Sequence, residues 1–253
     1  MINLKLLSLL FLVFFFGCKK DDTNPITPSP ISSQGLVAYY PFNGNANDAS
    51  GNGKDGITIG TVLTADRFGN ANSAYSFDGI NDWINCVFAS TDSYTNLTVN
   101  IWFKTNDFHP LGSDQALNGN LISRSDSANS GTLVRIVGCG SPSPFTGKLE
   151  FEIEDGHSVE TSDLLDDNIW HMATIVLDAN NLAMYGYVDG ILINNTAYDG
   201  NIGHLAKNWN IGTRLNGELT YNNTKEFFHG ILDDVRIYNR ALSAEEIISL
   251  FNE

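Results

Sequence analysis

The strongest constraint on this chain is a period of two in hydrophobicity that recurs along most of its length. In LTVNIWFK, Leu97, Val99, Ile101 and Phe103 share one face, with Thr98, Asn100, Trp102 and Lys104 on the other. KLEFEIE alternates Leu149, Phe151 and Ile153 with Glu150, Glu152 and Glu154. WHMATIVLD and LAMYGYVDGILINNT follow, the second with Asp189-Gly190 between two strand-like runs. Successive side chains of a strand point to opposite faces, so each run predicts a strand with one side in a core. An Asp-Gly pair at that place predicts a two-residue hairpin turn. Many short strands divided by Gly, Asn and Asp predict an all-β fold, a two-sheet antiparallel sandwich. LSAEEIISLFN alone reads convincingly as a helix: Ser243 and Glu246 have capping-box spacing, and Ile247, Leu250 and Phe251 form an apolar face.

Between the first two strand-like runs lies NGNANDASGNGKDG, from Asn43 to Gly56, without one large apolar side chain. Asp48, Ser50, Asn52 and Gly53 match the opening of an EF-hand loop, but its twelfth position falls on Ile59, where a bidentate Glu is required. Asn, Asp and Gly tolerate left-handed backbone and bond their own main chain, so the run reads as an ordered turn. The formal net charge of −15 argues against nucleic acid, whose phosphates need a basic face.

The first seventeen residues, MINLKLLSLLFLVFFFG, read as a signal peptide. The apolar stretch from Leu6 to Phe16 is too short to span a bilayer and has the size of a signal h-region. Gly17-Cys18 at its end resembles the lipobox of bacterial lipoproteins, which implies lipidation of Cys18. CKKDD resembles the signal that sends lipoproteins of some Gram-negative bacteria to the cell surface. Residues 18–34 hold three of the seven prolines and read as an extended spacer. The expected organisation is a signal peptide (1–17), the lipidated cysteine and spacer (18–34), and one domain (35–253) on an outer-membrane lipoprotein exposed at the cell surface.

Within that domain, GLVAYYPFNGNANDASGNGKDG, AYSFDGINDWI, LTVNIWFKT, WHMATIVLD with YVDG, NWNIG and FHGILDDVRIYNRALSAEEIISLF occur in order. Together they resemble the laminin-G-like, concanavalin A-type jelly-roll domain of many secreted bacterial proteins. The resemblance implies two packed antiparallel sheets and binding of glycan or protein, often with Ca²⁺. It points to Asp48 and Asp233 as cation ligands, with Asn43 or turn carbonyls completing the shell. Strand alternation places Asp233 and Asp234 on opposite faces, so one of them is expected to take part. The alternative is that Asp48 caps its turn and Asp233 bonds nearby amides.

With Cys18 set aside, Cys86 and Cys139 remain, and a disulfide between them is expected in an oxidising exterior, worth about 4 kcal/mol on the chain-entropy account. The alternative is two separate buried thiols. His109, His157, His171, His204 and His229 show no metal-ligand spacing, and no serine stands in a nucleophile-elbow setting. Trp102 and Trp170 read as core, while Trp83 and Trp209 fit either core or a binding platform. Glu150, Glu152 and Glu154 share one strand face and resemble the ExDxE signature of retaining β-glucanases, with Glu in place of the central Asp. No catalytic residue is assigned. The primary expectation is a non-catalytic glycan-binding module. A protein-adhesion or surface-assembly module is the alternative, and a retaining glycosidase using Glu150 and Glu154 stands third.

Overall fold

Each alternating run forms a strand whose apolar side meets an opposing sheet. The computed structural model describes residues 33–89, 94–108, 119–125, 133–138, 147–153, 157–200, 202, 208–214 and 226–253. Cys18, Cys139, Glu154, His109 and His204 lie outside them. The strands are β1 (Leu36–Tyr40), β2 (Gly56–Ile59), β3 (Val62–Thr64), β4 (Ala74–Asp78), β5 (Trp83–Cys86), β6 (Leu97–Lys104), β7 (Gly119–Ser125), β8 (Leu133–Gly138), β9 (Leu149–Ile153) and β10 (His157–Glu160). They continue with β11 (Trp170–Asp178), β12 (Ala183–Val188), β13 (Ile191–Ala197), β14 (Trp209–Ile211) and β15 (His229–Tyr238), before helix α1 (Ala244–Phe251).

One sheet has eight strands in the order β13-β12-β11-β6-β15-β4-β3, with β1 also paired to β15. The other has seven, β10-β9-β8-β7-β14-β5-β2. The pairings within both sheets are antiparallel, as in a jelly-roll sandwich. Val99, Ile101 and Phe103 of β6 meet Ile84, Ile122, Ile136, Phe151 and Trp209 of the seven-stranded sheet in one buried core. The alternation read from the sequence therefore sets which face is inward. Val188 pairs with Ile191 across Asp189 and Gly190, whose φ values of 51° and 78° are those of a type I′ turn.

Helix α1 covers the outer face of the eight-stranded sheet. Ser243 caps it in a complete capping box with Glu246. Ile247 and Leu250 join Trp102, Met172, Val176, Tyr187 and Tyr238 in a second apolar cluster. Phe251 stacks on Trp102, with centroids 5.6 Å apart. Amphipathic packing of this kind, rather than intrinsic propensity, holds so short a helix.

β15 departs from regular alternation. Along one edge it pairs first with β4 and then with β1, and its register to β6 shifts between Asp233 and Arg236. Asp234 lies at φ 44°, the mark of a bulge. This corrects the expectation that Asp233 and Asp234 take opposite faces. The bulge turns both carboxylates to the guanidinium of Arg67, which bonds each of them.

Candidate functional site

The polar run after β1 is an ordered turn held by one carboxylate. Asp48 Oδ1 accepts the backbone N–H groups of Tyr39 (3.0 Å) and Ser50 (2.8 Å). Its Oδ2 accepts the Ser50 hydroxyl (2.9 Å) and the Lys54 N–H (3.1 Å). Asn52 Nδ2 donates to the carbonyls of Leu36 and Val37 and ties the turn to β1. Burial opposes ionisation of Asp48, but the donors from Ser50, Tyr39 and Lys54 outweigh it and hold the carboxyl below its ordinary value.

The residues expected to hold Ca²⁺ are engaged separately. Asp233 receives the Asp234 N–H at 2.8 Å and Arg67 at 3.1 Å, and Asn43 is exposed. Amide, hydroxyl and guanidinium donors already supply the positive charge around these oxygens. No group of three or more His, Cys, Asp or Glu suited to a metal occurs among the described residues. As arranged, the set does not fit Ca²⁺, which takes six to eight oxygen ligands. Burial, then the neighbouring charge of Asp234, raises Asp233 from 3.8 to about 7 against the pull of Arg67.

Cys86 is wholly buried beside Tyr40, and burial pushes its thiol up to about 12. Its expected partner, Cys139, lies outside the described residues. His171 is clamped between Asp189 Oδ2 (2.8 Å) and Asp167 Oδ1 (3.3 Å), a structural role at the turn of the β12–β13 hairpin.

A different surface gathers groups suited to binding. The outer face of the eight-stranded sheet lies largely under α1 and Arg67, whereas that of the seven-stranded sheet carries polar residues. Register aligns Ser158, Glu152, Arg135, Ser123, Asn210, Asn85 and Ile57 in one row, a residue from every strand β10 to β2. Neighbouring strands lie about 4.8 Å apart, so the row runs on the order of 29 Å. Next to Asn85 along β5, Trp83 faces outward and is half-buried beside Ile59. This separates the two tryptophans left open by sequence: Trp209 is core at 0% exposure and Trp83 is the outward ring. Trp102 is buried as expected, though under α1 and not between the sheets. Trp170 is half-buried against that same cluster.

Arg135 stands third in the row, buried yet outward-facing. It reaches Glu152 Oε2 through Nε (2.6 Å) and Nη2 (2.5 Å), and Glu226 Oε2 through Nη1 (3.2 Å). Asn120 Nδ2 donates to the same Glu226 oxygen at 2.8 Å. Burial opposes the charge on Arg135, but the two glutamates outweigh it and raise its pKa. Burial and the charge of Glu152 hold Glu150 above its ordinary value, while Ser158 and Arg135 pull the other way. Of the three glutamates read as a possible glucanase signature, Glu150 and Glu152 do share this face, and Glu154 lies outside the described residues. Sequence reasoning missed Arg135, Asn120, Asn210 and Glu226, because only the tertiary arrangement brings them together. The signal for Arg135, Asn120 and Asn210 was polarity within otherwise apolar strands, while Glu226 precedes β15 outside any strand.

The architecture is that of a two-sheet antiparallel sandwich with one polar, outward sheet face. Residues 52–248 match the model of the concanavalin A-like lectin/glucanases superfamily (Laminin_G_3), and the chain belongs to this family. No curated protein matches the chain. Among solved structures it is similar to domain 4 of AbnA, an extracellular arabinanase from Geobacillus stearothermophilus, in complex with arabinotriose. The TM-score is 0.60 at 18% identity, covering 85% of this chain and 97% of that one. It is similar also to the binding domain of Paraclostridial Mosquitocidal Protein 1, with TM-score 0.63, 19% identity and 86% of this chain covered. The receptor binding domain of botulinum neurotoxin D follows at 0.61, with 15% identity and 87% of this chain. The chain spans about half of each toxin domain, 52% and 53%. At these identities the likeness is one of fold.

Proposed function

We propose that this protein is a non-catalytic glycan-binding module, carried by a lipoprotein at the cell surface. The row across the seven strands, polar on all but β2, with Trp83 outward beside it, supports the reading most directly. Sugar sites combine a ring on which a pyranose stacks with amides and acids placed for its hydroxyls, and here Asn85 stands two residues from Trp83 on the same face of β5, with the more buried Asn210 paired to it on β14. The solved structure with arabinotriose shares this fold, which adds weight to a saccharide ligand. Glu152, the central glutamate of the three, is committed to Arg135 as part of this row. The amino-terminal signals, with Cys18 as the anchor, underlie the proposed location.

A glycan array probed with the purified protein tests the reading. Binding to a defined saccharide class that Trp83→Ala weakens at least tenfold supports it. Silence across the array, with capture of a protein partner through another surface, favours the adhesion alternative. New reducing ends released from β-glucan, and lost in Glu150→Gln, would replace binding with glycosidase activity.

A further inference from the structure

On the same outward face Arg214 has, among the described residues, no carboxylate in direct contact, because the two glutamates near it are held by Arg135. β14 is followed by Gly212, whose φ of +84° brings the backbone against the Phe77 ring, where a Cβ would lie 2.4 Å from a ring carbon. Only glycine makes that turn without strain. The chain beyond is pinned to β7: Gly212 N–H donates to the Leu121 carbonyl (2.8 Å), and the Ser123 hydroxyl donates to the Thr213 carbonyl (2.9 Å). Arg214 follows directly, and its charge interacts with Arg135, Glu226 and Glu152. Arg135 is neutralised by direct contacts to both glutamates. Among the described residues Arg214 has no hydrogen bond or ion pair, and its Nε is buried without a partner.

A half-buried guanidinium with an unpaired Nε–H, next to a second guanidinium, is an unstable arrangement unless an anion completes it. Leaving a buried donor unsatisfied costs about 1–3 kcal/mol, more for a charged group. Alternate positions on this face already offer amides and an indole for a sugar. We propose that Arg214 selects an acidic saccharide, receiving the carboxylate of a uronic-acid unit in the site described above. The inference rests on the glycan-binding reading and narrows it. A planar carboxylate matches the guanidinium fork in a bidentate pair, and a guanidinium whose neighbouring glutamates are both bonded to Arg135 can take one carboxylate of its own. The net charge of −15 repels polyanions at long range, so binding of one would report this local group and not bulk attraction.

The test uses an array of oligosaccharides in pairs, each uronic-acid oligomer beside its carboxyl-reduced counterpart of identical linkage, with sulfated oligomers of matching length. Titration calorimetry on the strongest pair then gives the ratio of dissociation constants. The expected result is at least tenfold tighter binding of the acid form, with the ratio falling near one in Arg214→Gln and in part restored in Arg214→Lys. Circular dichroism of both variants separates loss of the group from loss of the fold. Equal binding of acid and reduced forms overturns the inference while the glycan reading stands. Stronger binding of the sulfated oligomers than of the uronates overturns the choice of carboxylate. Silence on every acidic and neutral oligomer overturns the glycan reading itself.

Discussion

Asp48 shows how one residue can organise a whole turn. Its two oxygens receive four donors from Tyr39, Ser50 and Lys54, so a run without large apolar side chains is ordered by hydrogen bonds and not by burial. Charge-assisted bonds of this type are worth about 1.5–3 kcal/mol each when buried, and less here because the carboxylate is partly exposed. Asp48→Ala is therefore expected to destabilise the protein by about 2 kcal/mol. That corresponds to a fall of roughly 4–8 °C in Tm for a domain of this size. Since amide donors occupy the positions a cation would take, the melting temperature should be the same in EDTA and in millimolar Ca²⁺. A rise with Ca²⁺ that Asp48→Ala abolishes would place an ion in the turn after all.

Among the elements, α1 and β15 were legible in the sequence to different degrees. The capping box of Ser243 and Glu246 is a local pattern, and it forms as the sequence predicts. Ser243→Ala should cost about 1 kcal/mol, measured as a shift of the denaturation midpoint at constant slope. A much larger loss would show that the cap also fixes the docking of Phe251 on Trp102. β15 reads as a regular strand, but its bulge at Asp234 was hidden. Nothing in GILDDVRIY marks the point where one long strand passes from partner β4 to partner β1. A bulge answers to the neighbours on both sides, and those come from distant parts of the chain.

At the scale of the whole molecule, three buried or half-buried acids and bases shape the pH profile. Asp233 is raised to about 7, so its contribution to stability is present below 3.8 and is lost as pH rises through 7. His171 is also raised: burial alone would lower it, but Asp189 and Asp167 outweigh that effect. Its contribution is likewise complete below 6.5 and lost as pH rises through its folded value. Asp48 is lowered and acts in the opposite sense, losing its contribution only as strong acid protonates it. Stability should therefore be greatest in mildly acidic solution and lower at pH 8. Asp233→Asn should flatten the decline between pH 4 and 7. An unchanged slope in that variant would assign the decline to other groups.

The sequence by itself determined the β-sandwich, its inward faces, the Asp189-Gly190 turn and the terminal helix. All of these depend on alternation or on contacts within a few residues, which a linear pattern records directly. The tertiary structure decided what faces what across the sheets. It set Arg135 between Glu152 and Glu226, turned Trp83 outward and Trp209 inward, and brought Arg214 into the field of Arg135, Glu226 and Glu152. Those relations join residues as far apart as β2, β9 and the segment after β14, and strand order, which no local propensity encodes, places them side by side.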